Sequence, residues 1–244
     1  MKNTTYEVET GVEATHWWFA NRRKLLADTL AALGIKSSAT ILDAGTGTGS
    51  NLRMLRDLGF SNFSGIDLSH EAIKYCAEKN LGTVQHGDVC DLPFLKESFD
   101  VVLATDIIEH VEEDAKAILE IFRVLKPGGV CIFIVPTFQS LWGYQDEISH
   151  HKRRYRLKPF VRLIEGQAFR VESAFYFNYI LMPPIWFGRQ LIKVFKPQIK
   201  SENEINTPLL NKILERIFAF DILTAKVVKP PFGVSALVIA RKSY

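Results

Sequence analysis

Three cysteines are all that 244 residues supply, and Cys76, Cys90 and Cys131 show no CxxC spacing. That scarcity excludes a disulfide framework and a thiolate zinc site, fits a reducing cytoplasm, and leads us to expect no bound metal. Long apolar runs are also missing. The nearest, residues 175–188, is broken by Asn178 and by Pro183-Pro184, so no membrane-spanning helix is expected. The opening residues, Met1 to Glu7, lack the charged-then-apolar layout of a secretory leader. No internal repeat or low-complexity tract stands out, and neither sign of charge dominates, the formal net being +3. What remains, 47% hydrophobic and 23% charged residues, suits an ordinary cytoplasmic protein with a large core.

Charge is nevertheless unevenly spread. Residues 150–200 hold eleven Lys or Arg against Glu165 and Glu172, a local +9 that leaves −6 for the rest of the chain. An anionic partner would meet this late segment, unless it is simply a solvated basic face.

The most informative stretch is Ile41-Leu-Asp-Ala-Gly-Thr-Gly-Thr-Gly-Ser50, a short apolar strand that ends in a carboxylate and three alternating glycines. Glycine tolerates positive φ and puts no Cβ between a ligand and the backbone N–H groups, so this turn suits a nucleotide-like cofactor. Residues 51–58 then read as a helix with apolar positions 52, 54, 55 and 58. Further strands are expected at 63–68, 83–86, 99–105 and 130–135, with helices from an N-capping Ser69 to about Asn80 and from Glu112 to Leu125. The alternation predicts a doubly wound α/β sheet with ligands at the carboxyl ends of its strands.

Five blocks, in this order and spacing, resemble the class I S-adenosylmethionine (SAM)-dependent methyltransferases of the small-molecule and quinone-type branch: 41–49, Gly65-Ile-Asp-Leu-Ser69, Gly87-Asp-Val-Cys-Asp-Leu-Pro-Phe94, 98–102 with Glu109-His110, and Arg123-Val-Leu-Lys-Pro-Gly-Gly129. The resemblance covers about residues 39–137. It implies a Rossmann-like, mostly parallel seven-stranded sheet closed by a C-terminal antiparallel hairpin, with SAM as cofactor. A nicotinamide-binding domain would share Asp67 as a ribose ligand, yet its glycine spacing differs and it gives no reason for Asp43 or for Gly87-Asp88.

By this resemblance the backbone of Gly45, Thr46, Gly47 and Gly49 passes beside the methionine part of SAM, with Asp43 oriented to its ammonium. Asp67 accepts both ribose hydroxyls. Leu68 and Val89 sandwich the adenine, Asp88 takes its exocyclic N–H, and the Thr105 carbonyl receives the amino group. Residues 1–38 form a helical cap in which Arg22 or Arg23 pairs with the SAM carboxylate, while Trp17, Trp18 and Phe19 either cover the cofactor or staple the helix to the sheet.

After the fifth strand, residues 137–155 resemble an Asp…His-x-Arg-Arg-Tyr pattern of bacterial methyltransferases acting on envelope or lipid-linked substrates. His151 is the expected base or substrate orienter and His110 the second candidate; Trp142, Arg153, Arg154 and Tyr155 are expected to contact substrate, the arginines suiting a carboxylate or phosphate. A plain salt-bridge set is the alternative. The closing strands are expected at 169–177 and 232–240, and the helical insertion between them, about 178–231, would be a lid, an oligomer interface or a peripheral membrane contact at the inner face. The expected function is methyl transfer to a small-molecule or lipid-linked acceptor, at oxygen. A nucleic-acid methyltransferase and a non-catalytic SAM-binding protein are the rivals; no RNA-binding appendage or base-methylating tetrapeptide supports the first.

Overall fold

A computed structural model describes residues 10–195 and 207–243; the polar stretch of the insertion therefore lies, apart from Thr207, outside the described residues. The chain runs α1 (Trp17–Ala32), β1 (Ile41–Ala44), α2 (Ser50–Asp57), β2 (Phe63–Asp67), α3 (His70–Glu78), β3 (Thr83–His86), β4 (Phe99–Thr105), α4 (Asp114–Val124) and β5 (Leu125–Pro136). There follow α5 (Tyr144–Ile148), α6 (Leu157–Glu165), β6 (Phe169–Phe177), α7 (Met182–Phe195), α8 (Pro208–Val228) and β7 (Ser235–Lys242). The seven strands lie in the order β3-β2-β1-β4-β5-β7-β6, parallel except for β7, which pairs antiparallel with both neighbours.

Strand periodicity explains the two-sided core. In β4, Val101 and Leu103 face one layer while Val102 and Ala104 face the other, all fully buried. One layer packs Leu25, Leu55, Phe177 and Phe218 under α1, α2 and α8; the other packs Ile118, Phe133 and Phe160 under α4 and α6. Each such side chain contributes about 1.5–3 kcal/mol by leaving water. Helix ends follow local chemistry. The Ser69 side chain accepts the Ala72 N–H to start α3, and Thr207 accepts from Leu210 ahead of Pro208 at the first turn of α8.

Two strand starts differ from the sequence reading. The fifth strand starts at Leu125, because Leu125 pairs with Phe99 through a register shift in the ladder and Gly128 takes φ +76. The last strand starts at Ser235, since a Cβ at Gly233 would stand 2.4 Å from the Phe177 carbonyl oxygen and the backbone there is still closing against β6. Helices α5 and α6 were not anticipated. The order reverses between β1 and β4, so the loops after these two strands open into one crevice.

Candidate active site

That crevice is a cavity of about 730 Å³ at the carboxyl ends of the strands, in the size range of cofactor pockets. Gly45, Thr46 and Gly47 after β1 form one wall, and Asp67, Leu68, Asp88, Val89 and Thr105 extend it. The glycine turn is folded for close approach. Gly45, Gly47 and Gly49 take φ of +77, +55 and +84. A Cβ on Gly49 would meet Leu81 at 2.4 Å and one on Gly45 would meet Ile107 at 2.7 Å, whereas one on Gly47 meets nothing within 4 Å. Gly45 and Gly49 serve packing; Gly47 keeps ligand space open.

Asp67 accepts the Gly47 N–H at 2.8 Å on one oxygen and the Ser69 N–H at 2.8 Å on the other, which aims its remaining lone pairs at the cavity. Leu68, 64% exposed, and the buried Val89 present apolar surface suited to a planar base. Asp88 also accepts the Cys90 N–H at 2.8 Å and so orders its own turn. These residues fit SAM: paired acceptors for a diol, an apolar slot for adenine, and a glycine whose missing side chain leaves room beside the methionine part.

Asp43 and Gly49 do not line the cavity among the described residues. Asp43 is buried behind Asn51, whose amide donates to one carboxylate oxygen at 2.9 Å and to the Thr105 hydroxyl at 3.0 Å. Its other oxygen has no partner, and burial pushes its pKa up to about 7 despite the Asn51 bond and the nearby Arg22 charge. Of the two candidate arginines, Arg22 lines the cavity and is ion-paired with Asp106, its Nε buried and without a partner. Arg23 turns away, donating to the Glu13 carbonyl and to Ser50. The tryptophans staple and cover at once: Trp18 stacks on Phe218 at 5.3 Å and Phe177 at 6.1 Å, while both Trp17 and Trp18 border the cavity.

The far end of the cavity is built after β4 and β5. His110 closes a short turn (Ile108–His110), and His151 follows α5; their rings meet edge to face at 4.6 Å. His151 Nδ1 lies 2.8 Å from Asp146, which also accepts Arg154 Nε at 2.8 Å and Nη2 at 3.0 Å. Burial would raise the Asp146 pKa, yet the His151 and Arg154 contacts hold it well below the ordinary carboxylate range. Burial, with the His151 ring packed beside it, lowers His110 to about 3, so its ring is neutral at physiological pH.

Three expected substrate contacts lie elsewhere. Arg153 faces outward to Asp114 and Glu112, drawn by their charges. The Tyr155 hydroxyl donates to Asp114 at 2.9 Å, because a buried phenol must satisfy its proton. Trp142, beyond the short turn at 139–141, is half-buried and does not border the cavity. Arg154 does border it, with its guanidinium committed to Asp146 and the Thr137 carbonyl.

Other cavity residues escaped sequence reasoning. Asn178, with φ +57, is 1% exposed, and neither atom of its side-chain amide has a partner. Its signal was the polar break in the 175–188 run. Arg189 on α7 turns inward, donating to the Leu141 carbonyl 3.6 Å from Asp146, so it belongs to the cavity and not to a lipid-facing surface. Ile185 of α7 and Leu214 of α8 border the cavity beside it.

Residues 42–133 match the family model described as "Methyltransferase domain". A probable SAM-dependent methyltransferase of Mycolicibacterium smegmatis is 27% identical over 166 residues, covering 67% of this chain and 63% of that protein. Sterol 24-C-methyltransferase of Schizosaccharomyces pombe is 34% identical over 127 residues, 49% of this chain and 33% of the relative. The chain thus spans less than two thirds of the length of these relatives. Phosphoethanolamine N-methyltransferase 2 of Haemonchus contortus, solved with SAM, shares the fold with a TM-score of 0.59 at 19% identity, covering 91% of this chain and 52% of that one.

Proposed function

We propose that this protein, which matches a methyltransferase-domain model over residues 42–133, is a class I SAM-dependent methyltransferase that transfers the methyl group of SAM to an oxygen of a small-molecule or lipid-linked acceptor. The observation that carries the reading is one continuous cavity with a cofactor wall at Gly47 and Asp67 and a second, histidine-bearing end at His110 and His151. SAM supplies an already activated methyl group on a sulfonium, so the chain's task is alignment and exclusion of water.

The contacts support a part for each residue. Asp67 holds the ribose diol, Leu68 and Val89 sandwich the adenine while Asp88 accepts its exocyclic N–H, and Arg22 and the glycine backbone hold the methionine end, with Asp43 acting from beneath through Asn51. His151, fixed through Nδ1 by Asp146, presents Nε2 as the orienting or proton-accepting atom for an acceptor hydroxyl. His110, kept neutral, packs beside it, and the unpaired Asn178 amide is suited to hydrogen-bond the acceptor's polar group. Ile185, Arg189 and Leu214 make the α7–α8 insertion a lid over this end.

Incubation with methyl-labelled SAM and a cell extract, followed by separation into small-molecule, lipid, protein and nucleic-acid fractions, tests the proposal. Label is expected in the small-molecule or organic-soluble fraction. Label in nucleic acid would favour that rival, and tight SAM binding without transfer would make the protein a non-catalytic binder.

A further inference from the structure

A buried carboxyl group without partners stands beside the two histidines. Glu109 is fully buried, and neither of its carboxylate oxygens has a hydrogen-bond partner. A carboxyl group buried without a partner on either oxygen is costly in an apolar interior, and such groups are normally hydrogen-bonded, ion-paired or bound to a metal. One ligand atom from each of Glu109, His110 and His151 lies within 4.8 Å of the others, His151 Nε2 standing 3.9 Å from Glu109.

One imidazole is already oriented as a ligand. His151 Nδ1 is bonded to Asp146, which leaves Nε2 turned toward Glu109, and the His110 ring meets that imidazole edge to face at 4.6 Å. Metal-ligating histidines characteristically carry such partners on the second ring nitrogen, fixing tautomer and ring plane. Asp146 is itself locked by Arg154, so the support is rigid.

We propose that Glu109, His110 and His151 form a divalent-cation site at the acceptor end of the cavity, a two-histidine, one-carboxylate set suited to zinc or another first-row transition metal. Ligand atoms about 2.0–2.1 Å from one tetrahedral centre stand roughly 3.4 Å apart, so the three need to converge by about 1 Å, within side-chain adjustment. Three protein ligands leave a coordination position open, and the two histidines border the cavity. The ligand class for that position is an acceptor hydroxyl or carboxylate oxygen, an assignment that rests on the proposed methyl transfer. With Nε2 of His151 then bound to the cation, the cation would take over the ring's part toward the acceptor, lowering the hydroxyl pKa so that its proton passes to water. As the oxygen bonds to the methyl carbon, the carbon–sulfur bond breaks and its electron pair stays on sulfur, giving a neutral thioether.

Cobalt(II) titration of chelator-treated protein, read by its visible absorption, tests the site without requiring turnover. We expect one saturable equivalent, at least tenfold weaker binding in Glu109→Gln and in His151→Ala, and 10–100-fold weaker binding in Asp146→Asn, the scale for residues that orient a ligand. Glu109→Gln should keep the melting temperature of the metal-free protein, since the amide has nearly the shape of the buried carboxyl group it replaces, and should keep affinity for S-adenosylhomocysteine measured by calorimetry. Absence of a saturable cobalt band, or a band unchanged in both Glu109→Gln and His151→Ala, would overturn the site. The S-adenosylhomocysteine control reads the cofactor assignment separately, so the two proposals fail independently.

Discussion

At the scale of single residues, the buried carboxylates carry the sharpest consequences. Asp43 titrates near pH 7 in the folded chain against about 3.9 when unfolded. Its folded pKa is the higher one, so the folded state binds the extra proton; the stabilisation is complete below about pH 4 and is lost as pH rises through about 7. The melting temperature of the unliganded protein should therefore fall over that interval, and Asp43→Asn should flatten the slope; an identical pH profile in the variant would contradict the burial argument. His151→Ala should lower turnover while leaving SAM affinity nearly unchanged, because the ring stands at the acceptor end. Arg154→Ala has a different outcome from a simple loss of substrate contact. It removes the bidentate partner of a fully buried Asp146, so destabilisation of about 3–5 kcal/mol is expected in denaturant unfolding.

At the scale of elements, the strand–turn–helix at residues 41–57 separates packing from binding. Gly49→Ala forces a Cβ into Leu81 and a positive φ on alanine, and should lower the melting temperature markedly. Gly47→Ala meets no neighbour, so it should cost only the roughly 1–2 kcal/mol of the left-handed backbone while weakening SAM binding at least tenfold; wild-type affinity in that variant would remove the cofactor from this wall. Elements with a strong local period were readable from sequence: β3, β4 and β6 fall at the expected residues, and Ser69 caps its helix. The cofactor wall was readable too, because glycines and carboxylates at strand ends have few other reasons to recur. The acceptor end was not. Arg153 and Tyr155 sit two or fewer residues from Arg154 in sequence, yet tertiary pairing with Asp114 turns both away from the cavity. Glu109, Asn178 and Arg189 gain meaning only from what the fold buries around them.

At the scale of the whole molecule, no helix among the described residues is long and apolar enough to cross a membrane, yet the insertion exposes large apolar side chains: Phe187 on α7 and Leu209, Phe220, Leu223 and Val227 on α8. With Lys193 on α7 and Lys226 on α8 also exposed, we propose that this face docks on anionic lipid when a lipid-linked acceptor is engaged. Co-sedimentation with anionic but not neutral vesicles is expected, fading with salt because exposed charges are screened within about 10 Å at 0.1 M. Lys193→Glu together with Leu223→Ser should reduce it, Arg189 being excluded as a cavity residue. No sedimentation of the parent protein would make a soluble acceptor the better assignment. The central claim, that the β1–β4 crevice is a SAM site, is tested most directly by calorimetry. SAM or its demethylated product should bind at micromolar strength, Asp67→Ala should lose about 1.5–3 kcal/mol with the ribose contact, and NAD should bind far more weakly. Equal affinity for NAD, or no loss in Asp67→Ala, would contradict it.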